Sequence, residues 1–81
     1  MMEEIKVNEG SRSIYFSGEL TMDNSIDIIE GLLDLESKEE RDDIDFYINS
    51  NGGSAHGFLA VYDVMQSLKC DVNTIGMGAS K

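Results

Sequence analysis

One cysteine, Cys70, leaves no possibility of an internal disulfide; it reads as a small apolar residue beside a strand, suited to a reducing cytoplasm. One histidine, His56, has neither a second histidine nor a cysteine at ligand spacing, so no metal cluster can be drawn and His56 reads as a helix-surface residue. No cofactor is expected. Basic residues are scarce: six lysines and arginines stand against sixteen acids, a formal net charge of −10. That balance argues against nucleic acid as a partner, because phosphate binding needs a basic footprint. No run of about 18 apolar residues could cross a membrane, and Met1-Met2-Glu3-Glu4 begins with acid where a secretory signal would carry base. The expectation is a soluble, cytoplasmic protein with no membrane partner. Eighty-one residues make at most one small domain, too short to be robust without partners or staples. No internal repeat or low-complexity segment is visible.

What is present is organised around Tyr47-Ile48-Asn49-Ser50-Asn51-Gly52-Gly53-Ser54. Ile44, Phe46 and Ile48 alternate with Asp45, Tyr47 and Asn49, the period of a strand with one apolar face. From Ala55 to about Leu68 the apolar residues Ala55, Phe58, Leu59, Tyr62 and Met65 recur at spacings of three and four, which is helical, and Ser54 stands at the N-cap position. Gly52 and Gly53 therefore occupy a strand-to-helix junction, where backbone N–H groups are unpaired and no Cβ blocks a ligand's approach. Two readings stay open from local sequence: an anion or oxyanion site, or a glycine pair that makes a tight turn.

Upstream, Met1 to Arg12 is a short polar segment, with Ile5 and Val7 as a possible strand and Asn8-Glu9-Gly10-Ser11 as a turn. Ser13 to Ser17 reads as a strand ended by Gly18. From about Asp23 to Glu36, Ile26, Ile28, Ile29, Leu32, Leu33 and Leu35 give a wide apolar helical face that predicts packing on a sheet. Thr21 or Asp23 can cap this helix, and Gly31 weakens it by about 1 kcal/mol against alanine. Ser37 to Asp43 is a charge run that reads as a solvated connection. A last strand is expected over about Asp71 to Met77. Strand, helix, strand, helix, strand predicts an α/β sheet of parallel strands with helical crossovers. Gly76-x-Gly78 after that strand is a weak dinucleotide-loop signal, lacking the third glycine and the helix.

Tyr47 to Ser54, Val61-Tyr62-Asp63-Val64-Met65-Gln66 and Lys69-Cys70-Asp71-Val72-Asn73-Thr74-Ile75 resemble the proteolytic subunits of the Clp protease, the ClpP family. Those subunits carry YINSPGG, IYDTMQ and a PDVSTI-like strand in the same order. Ile14 to Glu19 and Leu32 to Glu36 also fall in place, and Gly18 to Gly78 lies on the family without a gap. The resemblance implies the amino-terminal portion of the ClpP/crotonase-like spiral fold, with residues 1–12 a short amino-terminal segment and 13–81 an incomplete domain.

It also implies acyl transfer by a Ser-His-Asp triad, in which a histidine activates the serine and fixed N–H donors hold the developing oxyanion. Gly53, with Gly52 beside it, falls on the family's oxyanion-hole position; Asn51 replaces its proline. Ala79-Ser80 resembles the end of the nucleophile motif. The gapless register, however, puts the nucleophile beyond Lys81, and Ser80 reaches that place only through a two-residue deletion. The family's His and Asp lie later in the chain, and His56 matches neither. The implied partners are other subunits in self-associated, heptameric rings, a Clp-type ATPase whose docking groove would use Tyr47, and unfolded polypeptide as substrate. An ordinary cross-strand aromatic is the other reading of Tyr47. Three functions are compatible: a truncated or amino-terminal portion of a serine endopeptidase subunit, a non-catalytic ClpP-like assembly subunit, and a crotonase-type enzyme acting on acyl-CoA.

Overall fold

The computed structural model describes residues 4–38, 42–50 and 52–76. Its elements, in chain order, are β1 (Glu4–Asn8), β2 (Ser13–Ser17), α1 (Met22–Lys38), β3 (Ile44–Asn49), α2 (Ala55–Ser67) and β4 (Val72–Gly76). The four strands form one sheet in the order β1-β2-β3-β4. β2, β3 and β4 run parallel, as the alternation of strands and helices predicts, while β1 is antiparallel to β2. The mixed sheet has a simple cause: only four residues separate β1 from β2, enough for a hairpin but far short of the crossover a parallel pair requires.

Alternation along β2 and β3 sets the two faces of the sheet. Ile14, Phe16, Ile44 and Phe46 point inward and join Ile28, Leu32 and Leu35 of α1 and Val61 of α2 in one core. Ile14, Phe16, Ile28, Leu32 and Ile44 have no exposed surface, and each such side chain contributes about 1.5–3 kcal/mol by leaving water. Both helices lie over this one face, and α2 packs against α1.

Local chemistry fixes the helix ends. Thr21 and Asn24 cap α1 reciprocally: the Asn24 amide donates to Thr21 Oγ1 at 3.1 Å and the Thr21 amide to Asn24 Oδ1 at 2.7 Å. At its other end the Arg12 guanidinium donates to the Leu35 carbonyl (2.8 Å), an orphan of the last turn, and to the carbonyls of Asp42 (2.7 Å) and Asp43 (3.3 Å). Arg12 thereby ties the β1–β2 turn to α1 and to the entry of β3, and it adopts a left-handed φ of 50° to do so. Part of the predicted solvated connection is therefore held by a side chain from outside it. Gly31, which costs helix propensity, sits where a Cβ would lie 3.0 Å from Val7 Cγ2 and 3.3 Å from Ile14 Cδ1, so its smallness lets α1 approach the sheet.

Candidate functional site

The end of β3 runs into a turn that folds back on its own backbone. The buried Ser50 hydroxyl donates to the Gly52 carbonyl at 2.8 Å and accepts from the Gly52 amide at 3.2 Å. Gly52 and Gly53 have φ of 132° and 139°, a region that glycine enters without strain. Leu20 then closes the turn from the β2–α1 connection. Its amide donates to the Gly52 carbonyl at 3.2 Å, and its carbonyl accepts from the Ser54 amide at 2.8 Å, an isolated parallel bridge between Leu20 and Gly53. The space is closed as well: a Cβ on Gly53 would overlap the Leu20 carbonyl oxygen and stand 2.6 Å from its nitrogen.

Because both bridge bonds are made by Gly52 and Ser54, the N–H of Gly53 itself faces the other edge, and no described residue accepts from it. Immediately beyond, Ser54 caps α2 by accepting from the Gly57 amide at 3.1 Å, and the Phe58 amide closes the first helical bond on the Ser54 carbonyl. No acidic side chain stands in the first turn of α2. The Gly53 amide therefore lies at the positive end of a helix with no carboxylate in its first turn, an arrangement that suits an anion or a developing oxyanion. Gly57, buried under the Leu20–Thr21 segment, lets α2 start close to the bridge. Sequence reading anticipated the glycines and the cap but missed Leu20, whose only local signal is its place two residues after Gly18.

The remaining candidates divide. Tyr47 lies on the sheet face opposite the helices, half-buried, in a row across the strands formed by Lys6, Tyr15, Tyr47 and Ile75. His56 is exposed in the first turn of α2. Cys70 is buried beside β4, and burial pushes its thiol pKa up, with Arg12 pulling partly in the opposite direction. Asn51, Gly78 and Ser80 lie outside the described residues. An open groove of about 580 Å³ lies between the C-terminal half of α2 and β4, lined by Tyr62, Met65, Leu68 and Val72, at the far end of α2 from Gly53. The helical residues singled out by spacing, Phe58, Leu59 and Tyr62, are exposed; α2 buries Gly57 and Val61 instead. An apolar helix covered on one side only leaves such residues in water.

The junction is thus a strand, a glycine pair and a helix N-terminus with an outward amide, set in a mixed α/β sheet. Residues 4–81 match the family model described as Clp protease, and the chain belongs to that family. Its fold is accordingly of the ClpP/crotonase-like type, as the motifs imply. The chain is 44% identical over 68 residues to ATP-dependent Clp protease proteolytic subunit 1 of Rhodopirellula baltica, covering 84% of this chain and 30% of that protein. It is 46% identical over 67 residues to the ATP-dependent Clp protease proteolytic subunit of Borreliella afzelii, covering 83% of this chain and 34% of that protein. The same identity and coverage hold for proteolytic subunit 1 of Borreliella burgdorferi. The chain thus spans about a third of the length of these curated relatives.

Proposed function

We propose that this chain is a portion or shortened form of a Clp-type serine endopeptidase subunit that degrades unfolded polypeptide with an ATPase partner. The observation that carries the reading is the outward Gly53 amide, pinned by Leu20 at the start of α2 in a chain of the Clp protease family. In the reaction a serine hydroxyl, its proton taken by histidine, attacks the scissile carbonyl. The carbonyl oxygen becomes an oxyanion, and the Gly53 N–H donates to it from a position fixed before the substrate arrives. Such a donor is worth about 3–4 kcal/mol at the barrier. The nucleophile follows Lys81 in the gapless register, with Ser80 displaced from that role, and the histidine and aspartate belong to later elements. Residues 13–81 then form an incomplete domain whose sheet is extended by β1 from the short leading segment.

The same reading gives subunits assembled in heptameric rings in the cytoplasm, with a Clp-type ATPase docked on the sheet face that carries Tyr47. Tyr15 and Ile75 flank Tyr47 in its row and would widen the apolar contact. One observation favours a second reading, a non-catalytic subunit that only assembles with larger ones: Phe58, Leu59 and Tyr62 of α2 are exposed, and β4 is an edge strand of the described sheet.

Hydrolysis of a short fluorogenic peptide separates the two. The 81-residue chain alone is expected to be inactive, since His56 is its one imidazole and does not match the family histidine. A chimera continued after Lys81 with the remaining length of the Rhodopirellula relative is expected to be active. A chimera that assembles into rings and stays inactive overturns the endopeptidase reading and leaves the assembly role. Activity of the chain alone, abolished by both Ser80→Ala and His56→Ala, would overturn the gapless register.

A further inference from the structure

Gly52 and Gly53 are the only adjacent glycines in the sequence, and the peptide unit between them has a glycine on each side. No Cβ resists rotation of that plane from either end, so other groups must hold it. The unit is trans, which makes the Gly53 N–H point directly away from the Gly52 carbonyl. Whatever holds the carbonyl therefore aims the amide. Two donors do so: the Ser50 hydroxyl at 2.8 Å and the Leu20 amide at 3.2 Å. Leu20 contributes main chain from another segment, and among the described residues Ser50 supplies the one side chain that bonds this unit. A hydroxyl has a single proton to donate, and that of Ser50 is committed to the Gly52 carbonyl while a lone pair accepts from the Gly52 amide at 3.2 Å. Ser50 is 7% exposed, so water competes little for that proton.

We infer that Ser50 is a positioning residue for the oxyanion: its hydroxyl keeps the Gly52–Gly53 peptide turned so that the Gly53 N–H faces the substrate. The inference rests on the endopeptidase reading above and adds the group that aims its donor. Ser50 touches no reacting atom and acts through the peptide plane. Its effect is twofold. It fixes direction, because a preorganised donor must already point at the place where charge develops. It also strengthens the donor, since a hydrogen bond received by the carbonyl polarises the amide on the other side of the same unit. A peptide turned over would present the Gly52 carbonyl oxygen to the oxyanion and repel it. With alanine at position 50 the carbonyl is left to the Leu20 amide, the longer of its two bonds. Both glycines then turn more freely, and the plane samples orientations in which the N–H misses the oxyanion.

The test uses the chimera continued after Lys81 with the remaining length of the Rhodopirellula relative, assayed on the fluorogenic peptide, with ring assembly of every variant followed by sedimentation. Ser50→Ala should lower kcat by roughly tenfold, a fraction of the loss that follows removal of a whole donor, and leave KM within about twofold. Ser50→Thr keeps the hydroxyl and should restore most of kcat. Ser50→Cys, close to serine in size but a weak donor, should fall between serine and alanine. Ser25→Ala is the control: it removes another buried hydroxyl, bonded to the Met22 carbonyl at 2.7 Å, without touching Gly52. Its stability should fall and its kcat should not. A second readout needs no activity. In the isotope-labelled 81-residue chain, Ser50→Ala should move the Gly53 amide nitrogen resonance to lower frequency, because its neighbouring carbonyl loses a donor, and Ser50→Thr should leave it in place. An unchanged kcat in Ser50→Ala, an equal loss in Ser25→Ala, or an unmoved Gly53 resonance overturns the inference and leaves the endopeptidase reading standing. A chimera that assembles but is inactive with Ser50 intact overturns both.

Discussion

Leu20 holds Gly53 in a bridge too tight for any side chain: the Leu20 amide and carbonyl bond the residues on either side of Gly53, and a Cβ on Gly53 would enter the Leu20 main chain. One contact thus fixes both the position of the Gly53 amide and its identity as glycine. Gly52, one residue earlier, shares the positive φ but faces open space.

That contrast gives a first prediction. Gly52→Ala should cost about 1–3 kcal/mol, the strain of a side chain at such a φ. Gly53→Ala meets the same strain and a backbone overlap besides, so it should cost at least about 1 kcal/mol more. Urea unfolding of the two variants measures the difference, and equal costs would contradict the bridge. In a complete subunit, Gly53→Pro also removes the N–H and should lower turnover by about a hundredfold or more.

Arg12 offers a second. Its guanidinium supplies three bonds to carbonyls in two segments, a geometry that an ammonium cannot copy. Arg12→Ala should destabilise the chain by about 2–3 kcal/mol, and Arg12→Lys should restore less than half of that. Hydrogen exchange in the last turn of α1 should quicken in both variants, and full recovery by lysine would refute the fork geometry.

At Gly31 propensity and packing pull in opposite directions. Alanine would favour the helix by about 1 kcal/mol, but its Cβ would press on Val7 and Ile14. The net change in Gly31→Ala should be neutral to destabilising. In a Val7→Ala background the nearer obstacle is gone, so the same substitution should become stabilising by up to about 1 kcal/mol. A thermal-melt double-mutant cycle reads the coupling; strict additivity would show that Val7 is not the obstacle.

Cys70 carries a pH signature with a definite sign. Burial raises its folded-state pKa above the ordinary 9.0. The unfolded thiol therefore ionises first, the unfolded state binds fewer protons, and stability falls as pH rises through about 9. Below that pH the contribution is fully present. Cys70→Ala should remove this component of the pH dependence. At pH 8 the native thiol should react slowly with a disulfide reagent and quickly in denaturant; equal rates would place the thiol at the surface.

Much of the site was readable because it is local. The alternation through Ile44, Phe46 and Ile48, the glycine pair and the Ser54 cap all act within a few residues of one another, so sequence spacing records them directly. The helix boundaries followed for the same reason: Thr21 and Asn24 are three residues apart. The parts that escaped depend on approach between distant segments. Nothing in Ser11-Arg12-Ser13 announces carbonyl partners at Leu35, Asp42 and Asp43, and nothing near Leu20 announces Gly53. Gly31 looked like a defect because propensity is local and its obstacle, Val7, belongs to another element. The exposed residues on both helices escaped in a different way, since periodicity marks a helix without saying which of two apolar sides meets the sheet.

The order β1-β2-β3-β4 has a kinetic consequence. Every strand pairs with its neighbours in sequence, so each new strand meets a finished edge as soon as its own helix has formed, and no pairing waits for a distant part of the chain. A ribosome releasing this sequence from the amino end would expose, at each stage, a sheet complete up to its last strand, with that strand's free edge as the template for whatever is made next.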